Sequence, residues 1–287
     1  MTAAGPHEPA LPPALAQAEA RVAAEIGSPA RLGVAFSGGV DSSVLLALAT
    51  RALGPERTLA ILGVSPSLAA DERRDAHTVA AMVGVPLVEV VTHEGENPAY
   101  RANGPDRCFH CKDELFTRIS DEVADRYGVT AVAYGENADD ASRPDRPGSG
   151  AAARHAVLRP LAAAGLAKAD VRSIARALGL PSADKPAAPC LASRIPHFEE
   201  VTPAKLAQVE RAEAGLRALG FEDCRVRHHG DVARVELRSD DLDRAVSTGM
   251  REQVQRAVRT AGFRFVALDL GGIQSGAFTL PLVAVRG

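Results

Sequence analysis

Cys108 and Cys111 stand three apart in the stretch PDRCFHCK, and a third thiol, Cys190, follows in ADKPAAPCLASRIP, in a chain of 287 residues with four cysteines in all. Residues i and i+3 share one face of a helix, so Cys108 and Cys111 can grip one ligand together. Three chemistries fit these thiols. Cys108, His110, Cys111 and Cys190 are donors of the kind that bind zinc, although a structural zinc ion calls for four well-spaced ligands. A redox dithiol also takes the CxxC form, but it normally opens a helix behind a strand, a setting that PDRCFHC does not display. Thiolates also ligate iron–sulfur clusters. Cys224 sits inside an apolar run and reads as an ordinary buried residue.

A second constellation lies upstream. The apolar run LGVAF leads straight into SGGVDSS, residues 37–43, and then into VLLALATRAL. Two glycines at a strand end let the backbone turn tightly and approach a ligand, and a helix start behind them offers N–H groups and a positive dipole end. That is an anion site, against the alternative of a plain Gly/Ser turn. It lacks the lysine of a Walker loop and does not match the GxGxxG dinucleotide fingerprint. Ser65, at the end of the second apolar run, and Tyr134-Gly135-Glu136-Asn137, at the end of the fourth, are expected beside it, because ligands of parallel sheets bind outside the carboxyl ends of the strands.

SGGVDSS resembles the PP-loop, SGGxDS, of the ATP-pyrophosphatase superfamily, whose members cleave ATP to AMP and pyrophosphate while adenylating a substrate oxygen. The resemblance implies that Ser37, Gly38, Gly39, Asp41 and Ser42 hold the pyrophosphate, with Ser65, Gly135 and Asn137 also at the nucleotide. Asp41 is then close to Mg²⁺, which prefers one or two carboxylates plus phosphate oxygens.

Taken with PDRCFHCKDELF, SRPDRPG, ADKPAAPCLASRIP, RVRHHGDVARVEL and LDLGGIQSG, the chain resembles the LarE family of ATP-dependent sulfur transferases from about residue 30 onward. That resemblance implies adenylation of a carboxylate of a pyridinium dicarboxylate mononucleotide and replacement of its oxygen by sulfur, in biosynthesis of the nickel-pincer nucleotide cofactor. In one branch of the family a lone cysteine, matched here by Cys190, gives up its own sulfur. In the other, three cysteines hold a 4Fe-4S cluster with one iron open to an extra sulfide; Cys108, Cys111 and Cys190 match that branch.

The same resemblance implies catalytic roles for Cys190, Ser193, Arg194 and Asp41, with Arg194 placed to stabilise charge that develops on attack at the acyl-adenylate. Arg225 and Arg227 alternate along a strand, point to one face, and suit a substrate phosphate, against the plain reading of two solvated arginines. Glu213, Glu236 and Asp269 match stretches whose acidic residues are implicated in metal binding, while Asp269 fits a capping role equally well. The family's PYG after the arginine is Pro196-His197-Phe198 here, which leaves the geometry of that loop open. His228 and His229 are possible metal ligands or ordinary exposed loop residues.

The elements that must position these groups follow from periodicity. Apolar runs at 32–36, 58–64, 86–91 and 129–134 alternate with helical stretches at 42–53, 71–83 and 110–127, the pattern of a parallel sheet covered by helices. A loop at 143–150 and a helix at 168–178 follow. Beyond residue 196 the order changes: helix 203–219, strands 224–228 and 232–237, helix 241–261 and strand 263–270, a smaller α+β unit. The expected fold is an α/β PP-loop ATP-pyrophosphatase domain at 29–196, preceded by an N-terminal extension at 1–28 that holds one amphipathic helix, and followed by a C-terminal substrate or oligomerisation domain at 197–287.

Composition narrows the partners. Thirty-three basic residues against thirty-six acidic give a net charge of -3, without a basic run to track nucleic acid, which argues against a tRNA-thiolating relative. No apolar run approaches membrane-spanning length and no signal-peptide pattern opens the chain, so a cytoplasmic protein is expected. In a reducing compartment the cysteines serve metals or catalysis rather than disulfides. The expected partner is a small-molecule nucleotide substrate, with assembly into a homo-oligomer; a zinc-stapled nucleotide-binding protein is the non-enzymatic alternative.

Overall fold

The computed structural model describes residues 12–142, 148–186 and 189–274. Along them run α1 (Pro13–Ile26), β1 (Leu32–Ala35), α2 (Val40–Leu53), β2 (Thr58–Val64), α3 (Ala70–Val83), β3 (Leu87–Val91), α4 (Pro98–Arg101), α5 (Arg107–Arg118), a π-helical turn (Ile119–Ala124), α6 (Asp125–Tyr127) and β4 (Ala131–Tyr134). There follow α7 (Ala138–Ala141), α8 (Gly148–Arg154), α9 (Pro160–Ala163), α10 (Lys168–Ala177), a 3-10 turn (Leu191–Arg194), α11 (Pro203–Ala218), β5 (Cys224–His229), β6 (Val232–Leu237), α12 (Leu242–Val246), α13 (Met250–Thr260) and β7 (Phe265–Leu268).

These form two compact units, one of Met1–Val64, Ala70–Thr92 and Lys112–Ala188, the other of Ser65–Ala69, His93–Cys111 and Pro189–Gly287. The division departs from a linear cut after residue 196: two short segments of the N-terminal half and the stretch 189–196 group with the C-terminal part. All three candidate ligand cysteines consequently belong to the second unit.

In the first unit the sheet has the order β3-β2-β1-β4 with every pair parallel. The chain steps from β1 outward to β3 and returns to place β4 on the other side of β1, so the strand order reverses between β1 and β4, where α/β sheets open a ligand crevice. α2 is buried along nearly its whole length, from Val40 to Thr50, as a helix apolar on all sides must be. Gly54, at φ 86, stops it. The helix at the N-terminus is part of this unit rather than an appendage: Ala18, Val22 and Ile26 are buried and Glu19 pairs with Arg51 of α2.

The second unit carries a mixed sheet, β5-β6-β7, in which β6 pairs antiparallel with β5 and parallel with β7. Its core joins Val209, Leu216 and Phe221 to Val226, Val235 and Val258. Two expectations change here and upstream. The single helix at 241–261 is two, because Ser247 is extended and Gly249 adopts φ 85, which ends α12 and restarts the chain as α13. The helix at 110–127 starts earlier and is interrupted by the π-helical turn before Gly128, at φ 64, caps it. Of the loop at 143–150, residues 143–147 lie outside the described residues, and Gly148 opens α8.

Candidate functional site

The glycine cradle expected to receive phosphate is made by backbone. Gly38 sits at φ 73, and a Cβ there would lie 3.1 Å from the backbone of Ala76, so the turn out of β1 requires glycine. Gly39 is the N-cap of α2 and gives it no side-chain cap, which leaves the first-turn N–H groups for an anionic ligand. Ser42 ties the loop together: its Oγ accepts from the Ser37 N–H at 3.3 Å and donates to the Gly39 carbonyl at 3.0 Å. Gly135, just after β4, closes the cradle from the far side. A Cβ on it would stand 2.6 Å from Ser42 N and 2.7 Å from the Asp41 carbonyl carbon.

Asp41 is held on both oxygens. Asn137 Nδ2 donates to Oδ1 at 3.1 Å, and Lys168 Nζ reaches Oδ2 at 2.5 Å. Lys168 is the first residue of α10, whose N–H there also donates to Asp139 at 2.8 Å. The cation was not singled out from sequence, since nothing in GLAKAD marks it. Beside β4, the Glu136 carboxylate accepts from Ser149 and, at 3.3 Å, from Arg159. Burial pushes this carboxyl up, but those bonds and the Lys112 charge outweigh it and hold it below the usual range. Ser65 belongs to the other unit, and its hydroxyl donates to Glu94 at 2.5 Å.

The thiol site is made by side chains. Cys108 and Cys190 are exposed and Cys111 is half-buried. Burial pushes the Cys111 thiol well up, and the charges of Glu94, Cys190 and Cys108 push the same way, while the Arg107 guanidinium opposes them. Glu94 is buried, accepts from Ser65 and Ser67 on Oε1, and has no partner on Oε2 among the described residues. Ser67 also bonds the buried Tyr100 hydroxyl at 2.5 Å. Among the described residues no three His, Cys, Asp or Glu side chains are gathered to share one metal ion, which holds for Cys108, Cys111 and Cys190 as it does for the set that includes His110. His110 instead pairs with Asp106 at 3.1 Å.

The turn bearing Cys190 has little regular structure, and its carbonyls are met by arginine and asparagine. Arg194 Nη1 donates to Pro189 O at 2.6 Å and to the Ser193 hydroxyl at 3.0 Å. Its other edge grips Glu213 of α11 at 2.8 and 3.2 Å, and this pairing keeps the guanidinium charged against its burial. Arg227 Nη1 donates to Ser193 O at 3.0 Å, and its remaining nitrogens pair with the fully buried Glu236 at 2.9 and 2.8 Å. Arg225 and Arg227 both reach Gln274 O, at 3.1 and 3.0 Å. Burial and the nearby Arg194 and Arg227 charges lower the proton affinity of Arg225.

Asp269 caps its own turn, accepting from Gly271 N at 2.8 Å, and pairs with Arg234. His228 is not an exposed loop residue: it lies in β5, buried, 3.2 Å from Gln208 Oε1 and edge-on to Phe263. Burial, and then the Lys205 charge, lower its proton affinity. His229 is exposed beside Arg234 at 3.3 Å. Cys224 is buried as expected, and burial pushes its thiol up to about 12. The end of LDLGGIQSG, from residue 275, lies outside the described residues.

Comparison with known proteins bears on both sites. The family described as asparagine synthase matches residues 16–251. The pyridinium-3,5-bisthiocarboxylic acid mononucleotide synthase of Lactiplantibacillus plantarum is 33% identical over 262 residues, 91% of this chain and 94% of that protein. An uncharacterized protein of Synechocystis sp. is 42% identical over 243 residues, 85% of this chain and 90% of its own. A third relative, from Methanocaldococcus jannaschii, is 27% identical over 237 residues. No described helix is long and apolar enough to cross a membrane.

Proposed function

This chain belongs to the LarE family of ATP-dependent sulfur-transferring enzymes, and from that premise we propose that it adenylates a carboxylate of a pyridinium dicarboxylate mononucleotide and replaces the activated oxygen with sulfur. The observation that carries this reading is the presence, in one chain, of a glycine cradle at the strand-order reversal and three cysteines in one compact unit, two of them exposed.

In the first step a carboxylate oxygen attacks the α-phosphorus of ATP and pyrophosphate leaves. The N–H groups at the start of α2 and the turn at Gly38 and Gly39 receive the leaving phosphates, where fixed dipoles stabilise growing negative charge. Asp41, oriented by Asn137 and Lys168, is the residue to hold Mg²⁺, which neutralises phosphate charge when bound. In the second step sulfur attacks the carbonyl carbon of the acyl-adenylate and AMP leaves with the original oxygen. Arg194 and Ser193 keep the Cys190 turn in place, with Glu213 supporting Arg194. Arg225 and Arg227 share a face but are buried, Arg227 on Glu236 and Ser193 O and both on Gln274 O, so the mononucleotide phosphate would reach them only in exchange for the Gln274 carbonyl.

Cys108, Cys111 and Cys190 would hold a 4Fe-4S cluster, a group suited to thiolate donors, which would supply sulfide for repeated delivery. What supports this reading is the chemistry of the donors, three sulfur ligands in one compact unit, although their side chains are not gathered into a metal-binding group among the described residues. Homo-oligomer assembly and a cytoplasmic setting belong to the same proposal. The test is iron, zinc and acid-labile sulfide per chain after anaerobic purification, on wild type and Cys190→Ala. About four iron and four sulfide, lost in the variant, is the expected result. One zinc without sulfide would overturn the cluster reading, and dehydroalanine at position 190 after turnover would assign the sulfur to Cys190 itself.

A further inference from the structure

The segment that precedes the CxxC motif has a second occupation. Asn103 is fully buried, in the left-handed conformation at φ 56, and its groups are spent on the turn that follows Cys190. Nδ2 donates to Ile195 O at 3.2 Å and Pro196 O at 2.7 Å. Its own carbonyl accepts from Phe198 N at 3.1 Å and His197 Nδ1 at 3.0 Å. Oδ1 accepts from Arg107 Nη1 at 2.5 Å, and the same nitrogen donates to Ala192 O at 3.0 Å. Arg107, itself buried, is the residue before Cys108 and one helical turn before Cys111.

An amide is the one side chain of this size with two donors and an acceptor, so aspartate, which lacks the donors, cannot meet both carbonyls. Buried hydrogen bonds of this kind are costly to leave unmade, and together they allow the turn few alternative positions. The strain is local as well: Phe198, whose N–H ends on Asn103, is left-handed at φ 67, a conformation that a bulky residue keeps only when its surroundings impose it.

We propose that Asn103 and Arg107 form a clasp that fixes the Cys190 turn at a set separation from Cys108 and Cys111, and so act as positioning residues for sulfur delivery. The inference rests on the proposed role of the three cysteines, but its geometry is a property of the ligand-free chain. Arginine suits the task because the planar guanidinium fixes the two N–H directions of the single Nη1 that meets Asn103 and Ala192 together, whereas the lysine ammonium swivels on a flexible stem.

The experiment uses full-length, metal-free protein under anaerobic conditions. A short bis-maleimide is added at low protein concentration, and the fraction of Cys190 bridged to Cys108 or Cys111 is read by peptide mass spectrometry, against single alkylation of each cysteine by N-ethylmaleimide. Wild type is expected to bridge efficiently. Asn103→Asp and Arg107→Gln are expected to lower the bridged fraction about tenfold, as the effective concentration of one thiol at the other falls, with single-site alkylation little changed. Arg107→Lys is expected to stay low. Unchanged bridging in the variants, or full recovery with Arg107→Lys, would overturn the clasp, since the second result would mean that charge alone matters. Circular dichroism and Tm identify folded variants; if Arg107→Gln does not fold, Asn103→Asp decides. Iron and sulfide contents are read in parallel. Wild type that binds neither would remove the cluster reading, while the bridging ratio would still judge the clasp.

Discussion

The phosphate cradle and the Cys190 turn solve the same problem by opposite means. The cradle is backbone held by regular structure: a strand end, two glycines, a helix start, and Gly135 closing against Ser42. The turn is irregular backbone held by side chains: Arg107, Asn103, Arg194 and Arg227 each meet its carbonyls, and Glu213 and Glu236 neutralise two of those arginines. The first arrangement is contiguous in sequence except for Gly135 and fails when a methyl group is added. The second is dispersed over more than a hundred residues and fails when a charge is removed.

Glu236→Gln should give the largest effect. It strips the partner from a buried guanidinium, a change that typically costs about 3–5 kcal/mol, and urea unfolding should show the loss in the midpoint. A loss under 1 kcal/mol would mean that the pair is solvated and that the turn is not held by buried charge. Gly135→Ala comes next. The new Cβ must displace backbone of the cradle, and a misplacement of this order costs on the order of 100-fold in AMP formation, with far-UV circular dichroism unchanged. Normal turnover would show that the cradle is not set by that approach.

How much of this contrast was legible beforehand follows from it. SGGVDSS carries its own explanation, because the glycines, the anion-binding helix start and the flanking strand are adjacent, and the parallel sheet was readable from alternating apolar runs. CxxC and the second cysteine stretch could be seen, but not the residues that hold them. Asn103 has only a turn-like ANGPD context, Arg107 only its place beside Cys108, and Lys168 no signal, because each acts through a partner distant in sequence. Glu213 and Glu236 read as site residues, and the structure makes them first of all counterions of Arg194 and Arg227.

Smaller effects sharpen the same contrast. Phe198→Gly should raise stability by about 1 kcal/mol, since glycine accepts the left-handed backbone that phenylalanine resists. No gain in Tm would mean that the Phe198 side chain contributes more than its strain costs. The smallest effect should come from Glu89, whose carboxyl is held down at about 2, chiefly by the Arg73 hydrogen bond and then by His77, against some burial. A depressed folded-state pKa means that its contribution is fully present above the unfolded value, 4.5, and is lost as pH falls toward 2. The Tm difference between wild type and Glu89→Gln should therefore close between those two pH values; a difference that persisted below them would place the effect elsewhere.

The most direct measurement supplies wild-type protein with ATP, Mg²⁺, sulfide and the pyridinium dicarboxylate mononucleotide, and follows AMP and sulfur incorporation together by chromatography and mass spectrometry. The account predicts AMP in proportion to thiocarboxylate formed, with both lost in Asp41→Ala. Sulfur entering the nucleotide without ATP cleavage, or AMP accumulating while the nucleotide keeps its oxygens, would contradict it.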